Sequence, residues 1–415
     1  MRVLYLTQWY LPEPATLQAE LACRLRDLGH RVTVLTGFPN FPAGRLYPGY
    51  RQRLWLRETI DGIDVLRLPL FPDYSGSAMR RAWNHGSLAL SSLTLAPWLV
   101  GSFDVIYGAR PITLGAAARW LSLLRGKPLV VEITDMWPEV LADTGLMRRP
   151  GVIAAIDRYC RWVYQGAAAI RVDTPGFREN LIAKGVSAEK IHFIPDWVDT
   201  SLYRPRPRDP EIGRRLGLAG KFNIWHAGTI GLSQQLDTLL DAAAMLAEER
   251  PEVQFVFSGG RGVGRDQLEE TARSRGLTNC RFLGFLPFEE LSAAFAWADV
   301  MFLQLRDTPL SRITIPHKVY AYLSVGKPIL AVVEGDTADV VRQHQAGIVC
   351  RPCDPNAIAE AVRSLVDMPA EHRSRMGDCA RQAACEHYAL PIVTTRLANM
   401  IEQVAACGSR KSVVR

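Results

Sequence analysis

Short runs of near-continuous Val, Ile and Leu, each followed by an amphipathic stretch of helical period, recur along the whole chain. That alternation restricts the fold to parallel sheets covered by helices on both faces. In the first half VLYLTQWY leads to a helix over 16–28 and the strand RVTVLTG. DVIYGA, a helix over 113–124, PLVVEIT, a helix over 151–165, AAAIRVDT and KIHFIPDWVD follow. The Pro- and charge-rich run IPDWVDTSLYRPRPRDPEIG reads as a linker, and the pattern restarts with KFNIWHAGTIG and a helix over 236–248. It continues through VQFVFSGG, a helix over 265–275, CRFLGFLP, ADVMFLQL, KPILAVV and GIVCRP. At 415 residues the chain exceeds what one core usually serves. The expectation is two doubly wound, Rossmann-like α/β domains facing a central cleft: residues 1–200, joined by a C-terminal helix over 388–408, and residues 201–387. Ligands in such sheets bind beyond the C-terminal ends of the strands.

The net charge of +7 invites a nucleic-acid partner, but the Arg residues are dispersed and form no basic run. Dispersed Arg suits a diphosphate-bearing ligand or an anionic membrane surface, and no nucleic acid. Eight Cys in a chain that passes from Met1-Arg2 straight into a strand suit reduced thiols in the cytoplasm. Cys350 and Cys353 have CxxC spacing without a second pair, which favours a strand-to-loop accident over a zinc or redox site. The longest apolar segment, SLALSSLTLAPWLV from Ser87, has 14 residues and contains Pro97. It is too short to span a bilayer and reads as a buried or an interfacial helix. Arg80 and Arg81 before it suit peripheral attachment to the inner face of the plasma membrane.

Three turns have the make-up of anion sites. Gly228-Thr229-Ile230-Gly231 follows the strand NIWHA and opens into a helix, where free amides attract phosphate; a plain tight turn is the alternative. Ser258-Gly259-Gly260-Arg261-Gly262-Val263-Gly264 is richer in Gly than a turn needs, and Arg261 offers forked donors to a diphosphate. Thr314-Ile315-Pro316-His317-Lys318 opens another helix, with a cation at a position the helix dipole disfavours unless an anion is present. Phe285 in GFLP completes the donor-side set. In the first half Asp135 (ITDMWPEV) and Glu13 (YLPEPAT) each follow a strand, so each is either a cleft-facing group for an acceptor hydroxyl or a cap. Trp9 and Trp137 are either sugar platforms or core. His226 and His317 flank the donor turns. No His pair has metal-ligand spacing, and neither HExxH nor GxSxG occurs, so no metal or cofactor is expected.

At these residues the sequence resembles glycosyltransferase family 4, of the GT-B fold, over nearly its whole length. YLPEPATLQAEL, LGHRVTVLTGFPNFPAG, DGIDVLRLP and ITDMWPEV are similar to a subgroup that builds bacterial surface polysaccharides and includes fucosamine transferases. GTIGLSQQLDTLL and IPHKVYAYLSVGKPILAVVEGDTADVV are similar to the donor end of the fold. The resemblance implies that the second domain binds a nucleotide-diphosphate sugar, UDP-linked, as co-substrate. It also implies that the first takes a lipid-linked or oligosaccharide acceptor, and that configuration is retained without a metal. Two Glu that many members carry before the GKP turn align with Ile313 and Ala321, which leaves Lys318 and Arg261 as the leading phosphate ligands. Asp135 falls where relatives keep a residue touching the reacting sugar. Two other readings share this architecture, a nucleotide-sugar epimerase and a non-catalytic sugar-nucleotide-binding subunit.

Overall fold

The computed structural model describes residues 1–74, 77–145, 147, 149–231, 233–260 and 263–413. They form two compact units, Met1–Pro195 with Val393–Arg415, and Asp196–Ile392. Unit 1 holds β1 (Arg2–Thr7), β2 (Arg31–Gly37), β3 (Leu56–Ile60), β4 (Ile63–Leu68), β5 (Val105–Arg110), β6 (Leu129–Ile133), β7 (Ala169–Val172) and β8 (Ile191–Phe193). Their order is β3-β4-β2-β1-β5-β6-β7-β8. All neighbours are parallel except β3, which pairs antiparallel with β4 through the turn Asp61-Gly62. Both turn residues have positive φ, 50° and 75°, as a tight hairpin of this twist demands. The chain runs outward from β1 on one side and restarts at β5 on the other, which puts the topological switch between these two strands.

Helices α1 (Thr16–Asp27), α2 (Ala78–Leu99) and α3 (Gly115–Arg125) belong to this unit. The helix expected from Ser87 starts nine residues earlier, where the Ser77 side chain accepts from the Arg80 amide at 3.4 Å. Across β6 and β7, Arg171 and Glu132 form a buried ion pair of 2.7 Å, and the Tyr107 hydroxyl donates to the same carboxylate. Arg171 also donates to the carbonyls of Ile194 and Pro195, fixing the strand that leaves the unit. The final helix, Leu390–Val413, lies on unit 1 from Val393 onward. There Arg24 donates to Thr395, and His30 meets Glu402 at 2.8 Å.

Unit 2 contains six parallel strands in the order β11-β10-β9-β12-β13-β14. They are β9 (Phe222–Ala227), β10 (Val253–Ser258), β11 (Cys280–Gly284), β12 (Val300–Gln304), β13 (Ile329–Val332) and β14 (Gly347–Cys350). Alternate residues feed two cores. Trp225, Met301, Leu303 and Ala331 enter one, and Ile224, Val300, Phe302 and Leu330 the other. Burial on both faces is why these strands read as unbroken apolar runs. The segment expected as linker is partly ordered structure, since Pro210–Leu216 is a helix capped by the Asp209 side chain.

Candidate active site

In unit 2 the turns after β9 and β10 pack backbone against backbone. Gly228 has φ of 105°, and its amide donates to the Ser258 carbonyl at 2.8 Å. A Cβ on Gly259 would lie 2.2 Å from the Gly228 carbonyl oxygen, and one on Gly264 would lie 2.5 Å from that of Ile230. These glycines are required by close approach. Gly260 differs, with nothing within 4 Å of a Cβ placed there. It opens onto a pocket of about 400 Å³, walled by Gly228, Thr229 and Ile230, by Ser258–Gly260, and by Phe285, Leu286 and Leu291. Phe285 is 74 % exposed at its rim, an aromatic face held out of the core. Leu286 and Leu291 escaped the sequence reading, although both adjoin Phe285 in GFLPFEEL. Arg261 lies outside the described residues.

Lys318 opens the helix Lys318–Ser324, with its Nζ 3.3 Å from His226 Nε2. Its Cε and Nζ lie 3.4 Å from where a Gly228 Cβ would stand. That nitrogen of His226 also sits 3.3 Å from the Thr229 carbonyl oxygen. Burial, reinforced by the neighbouring ammonium, drives the His226 pKa far down and keeps the ring neutral. Burial alone pulls Lys318 down to about 8. Among the described residues no carboxylate pairs with it, so the cation is desolvated without a counter-ion, an arrangement that awaits an anion.

The remaining members of the expected donor set are placed differently. The third turn does not leave a strand directly, because the short helix Pro309–Arg312 intervenes after β12. The Thr314 hydroxyl donates to the Leu310 carbonyl, and the carbonyl of Thr314 accepts from Thr337. His317 Nε2 is taken by the Trp197 carbonyl at 2.9 Å. Thr314, Pro316, His317 and Gly231 do not wall the pocket; they shape the turns that present Lys318 and Gly228.

In unit 1 the two carboxylates that look alike in sequence have opposite surroundings. Glu13 is 1 % exposed. Its Oε1 accepts from the amides of Asn40 and Phe41, both at 2.8 Å, and its Oε2 from that of Tyr10 at 3.2 Å. Burial raises its pKa against these bonds. Both oxygens are spent on joining the loops after β1 and β2, so the catalytic role expected for Glu13 gives way to a positioning one. Asp135 is exposed and caps no helix, the nearest cap position being Pro138. It borders a cleft of about 10 Å³ with Arg110, Glu132 and Trp137, space for one water. Trp9 is tied into an aromatic cluster, donating to Tyr74 Oη at 2.6 Å and packing edge-on against His85.

Among the described residues no cluster of three or more His, Cys, Asp or Glu could hold a metal ion, and no helix is long and apolar enough to cross a membrane. Cys350 and Cys353 are both free thiols.

A family model described as "Glycosyl transferase 4-like domain" matches residues 14–197, and "Glycosyl transferases group 1" matches residues 211–383. WcaI of Escherichia coli, which bears the name of a colanic acid biosynthesis glycosyl transferase, is 26 % identical over 89 % of this chain and 93 % of its own. D-inositol 3-phosphate glycosyltransferase 1 of Catenulispora acidiphila is also 26 % identical, over 88 % of this chain and 85 % of its own. HepE of Anabaena, solved with UDP and glucose, superposes with a TM-score of 0.72 at 19 % identity, covering 97 % of this chain and 99 % of its own. Glycine turns and a buried cation without a carboxylate among the described residues, at the switch of one parallel sheet, in a chain that also holds a second doubly wound unit, fit these matches along the chain. The protein belongs to the glycosyltransferases of the GT-B fold, with a family 4-like first domain and a group 1 second domain.

Proposed function

We propose that the protein moves a sugar from a UDP-sugar bound by unit 2 to a saccharide or lipid-linked acceptor bound by unit 1, in bacterial surface polysaccharide assembly at the cytoplasmic face of the membrane. The observation that carries this reading is the buried Lys318 ammonium, with no carboxylate partner among the described residues, beside Gly228 and the open glycine-lined pocket. A diphosphate supplies the missing anion. Phe285, Leu286 and Leu291 supply an apolar wall for a flat base, and the UDP seen in HepE favours uridine. As the glycosidic bond breaks, negative charge grows on the leaving diphosphate. Lys318 and the free amides of the turns are fixed donors for it, and Arg261, in the same glycine-rich turn by sequence, is the candidate second cation. The reaction we assign retains configuration and uses no metal. Asp135, exposed beside Arg110 and Trp137, is the group we assign to the acceptor hydroxyl.

The test offers the protein UDP-glucose, UDP-N-acetylglucosamine and a UDP-linked N-acetylfucosamine, with bacterial lipid extract or oligosaccharides as acceptors. Sugar appearing on lipid or saccharide supports the reading. Conversion of the free nucleotide sugar alone marks an epimerase, and binding without turnover a non-catalytic subunit; either overturns it.

A further inference from the structure

Helix α2 is unusual in which face it leaves to solvent. At 100° per residue, Met79, Trp83, Leu90, Leu93, Pro97 and Trp98 fall on one side, while Asn84, Leu88, Ser91, Ser92 and Ala96 on the other are buried. The outward side is therefore mostly apolar, with Arg80 and Thr94 as exposed polar groups on the same arc. Met79 is 82 % exposed and Trp98 is 85 % exposed, with Trp83 and Leu90 also open. On α3, packed beside α2, Trp120, Leu123 and Leu124 are exposed at helical spacing. The two C-terminal ends are tied by Arg125, which donates to the Pro97 carbonyl at 2.9 Å. Isolated surface apolars are ordinary, but exposed large apolar side chains clustered on two packed helices mark an interaction face.

Charge selects the partner. From Tyr74 to Val131 the only acid is Asp104, and Arg2 neutralises it at 2.7 Å; Asp73, one residue before this span, pairs with Arg80 at 2.8 Å. The same span carries Arg80, Arg81, Arg110, Arg119, Arg125 and Lys127. Trp83 and Trp98 are fifteen residues apart, about 22 Å along the axis. Two indoles so spaced on a long stripe flanked by cations match the headgroup boundary of a bilayer, where Trp prefers to lie.

We infer that the outer faces of α2 and α3 dock flat onto an anionic phospholipid bilayer, Trp83 and Trp98 entering the headgroup region while Arg125 and Lys127 meet lipid phosphates. This names the face and partner behind the membrane setting proposed above and rests on that reading. The full chain is sedimented with vesicles of phosphatidylcholine alone, and of phosphatidylcholine mixed with phosphatidylglycerol, at low and high salt. The chain should pellet with the mixed vesicles at low salt and remain in solution with phosphatidylcholine. The double variant Trp83→Ser, Trp98→Ser should partition at least about tenfold less. Its unfolding midpoint and UDP affinity should be unchanged, so misfolding is excluded and loss of the UDP site would be seen separately. A wild-type chain that ignores anionic vesicles, or a double variant that pellets equally well, overturns the inference. So does a dimer that the same substitutions dissociate, because a second copy would then be what covers the stripe.

Discussion

Beyond the strands of unit 2, a buried cation has no anion among the described residues. At the matching end of unit 1, a buried carboxylate is fully supplied with donors. Among the described residues Lys318 meets neutral His226 and no carboxylate, and it stands beside glycine turns whose pocket is open. Glu13 accepts three backbone N–H groups and closes the gap between two loops. Both are buried charges near a switch point, so neither burial nor position separates a ligand site from a loop clasp. The difference lies in satisfaction: an unmet charge predisposes to binding, and a met one to rigidity.

The largest effect should come from removing the unmet charge. Lys318→Ala should lower transfer by about 10² to 10³, or about 2–4 kcal/mol of transition-state stabilisation, with the unfolding midpoint near wild type. Rate measurements under saturating acceptor check this, and wild-type turnover would break the contrast. The met charge should respond in stability. Glu13→Gln keeps the shape but weakens charge-assisted bonds and turns an amide N–H₂ toward donors, costing about 1–3 kcal/mol. Urea unfolding of the full chain should show that loss while UDP affinity stays put.

A smaller, graded effect concerns pH. With Lys318 held at about 8 by burial, the free site carries an ammonium below that value and loses it above. A diphosphate favours the ammonium, so Lys318 in the bound state titrates higher than in the free state. UDP affinity should be flat up to about pH 8 and then fall by about tenfold per unit, with proton uptake on binding in that window. Calorimetric titrations in two buffers of different ionisation heat measure both. Affinity that is flat from about pH 7 to about 9.5 would place the phosphates away from Lys318.

Most strands were legible because burial on both sheet faces writes itself as continuous Val, Ile and Leu. β3 and β4 were not, since LRETI is an edge strand with alternating exposure and IDVLRL is interrupted by Asp64 and the buried Arg67. The start of α2 was hidden because its first turns, AMRRAWNHG, bury the polar Asn84 and expose Met79 and Trp83, so the usual apolar-inside periodicity does not appear there. The glycine-rich turns were visible as candidates, yet their division of labour was not. That Gly259 and Gly264 serve close backbone packing while Gly260 faces open space depends on contacts between segments some thirty residues apart. Asp135 and Glu13 carry the same local signature, a carboxylate after a strand, and their opposite environments are set by a distant loop at Asn40 and Phe41.

The most direct test of the account is calorimetric titration of UDP into the wild-type chain, Lys318→Ala and Asp135→Asn under one buffer condition. The nucleotide is assigned to unit 2 through Lys318, and Asp135 to the acceptor side. UDP affinity should therefore drop by at least about tenfold in Lys318→Ala, one lost charge-assisted contact, and stay within about twofold of wild type in Asp135→Asn. Unchanged affinity in Lys318→Ala, or affinity lost in Asp135→Asn, would contradict that division of labour.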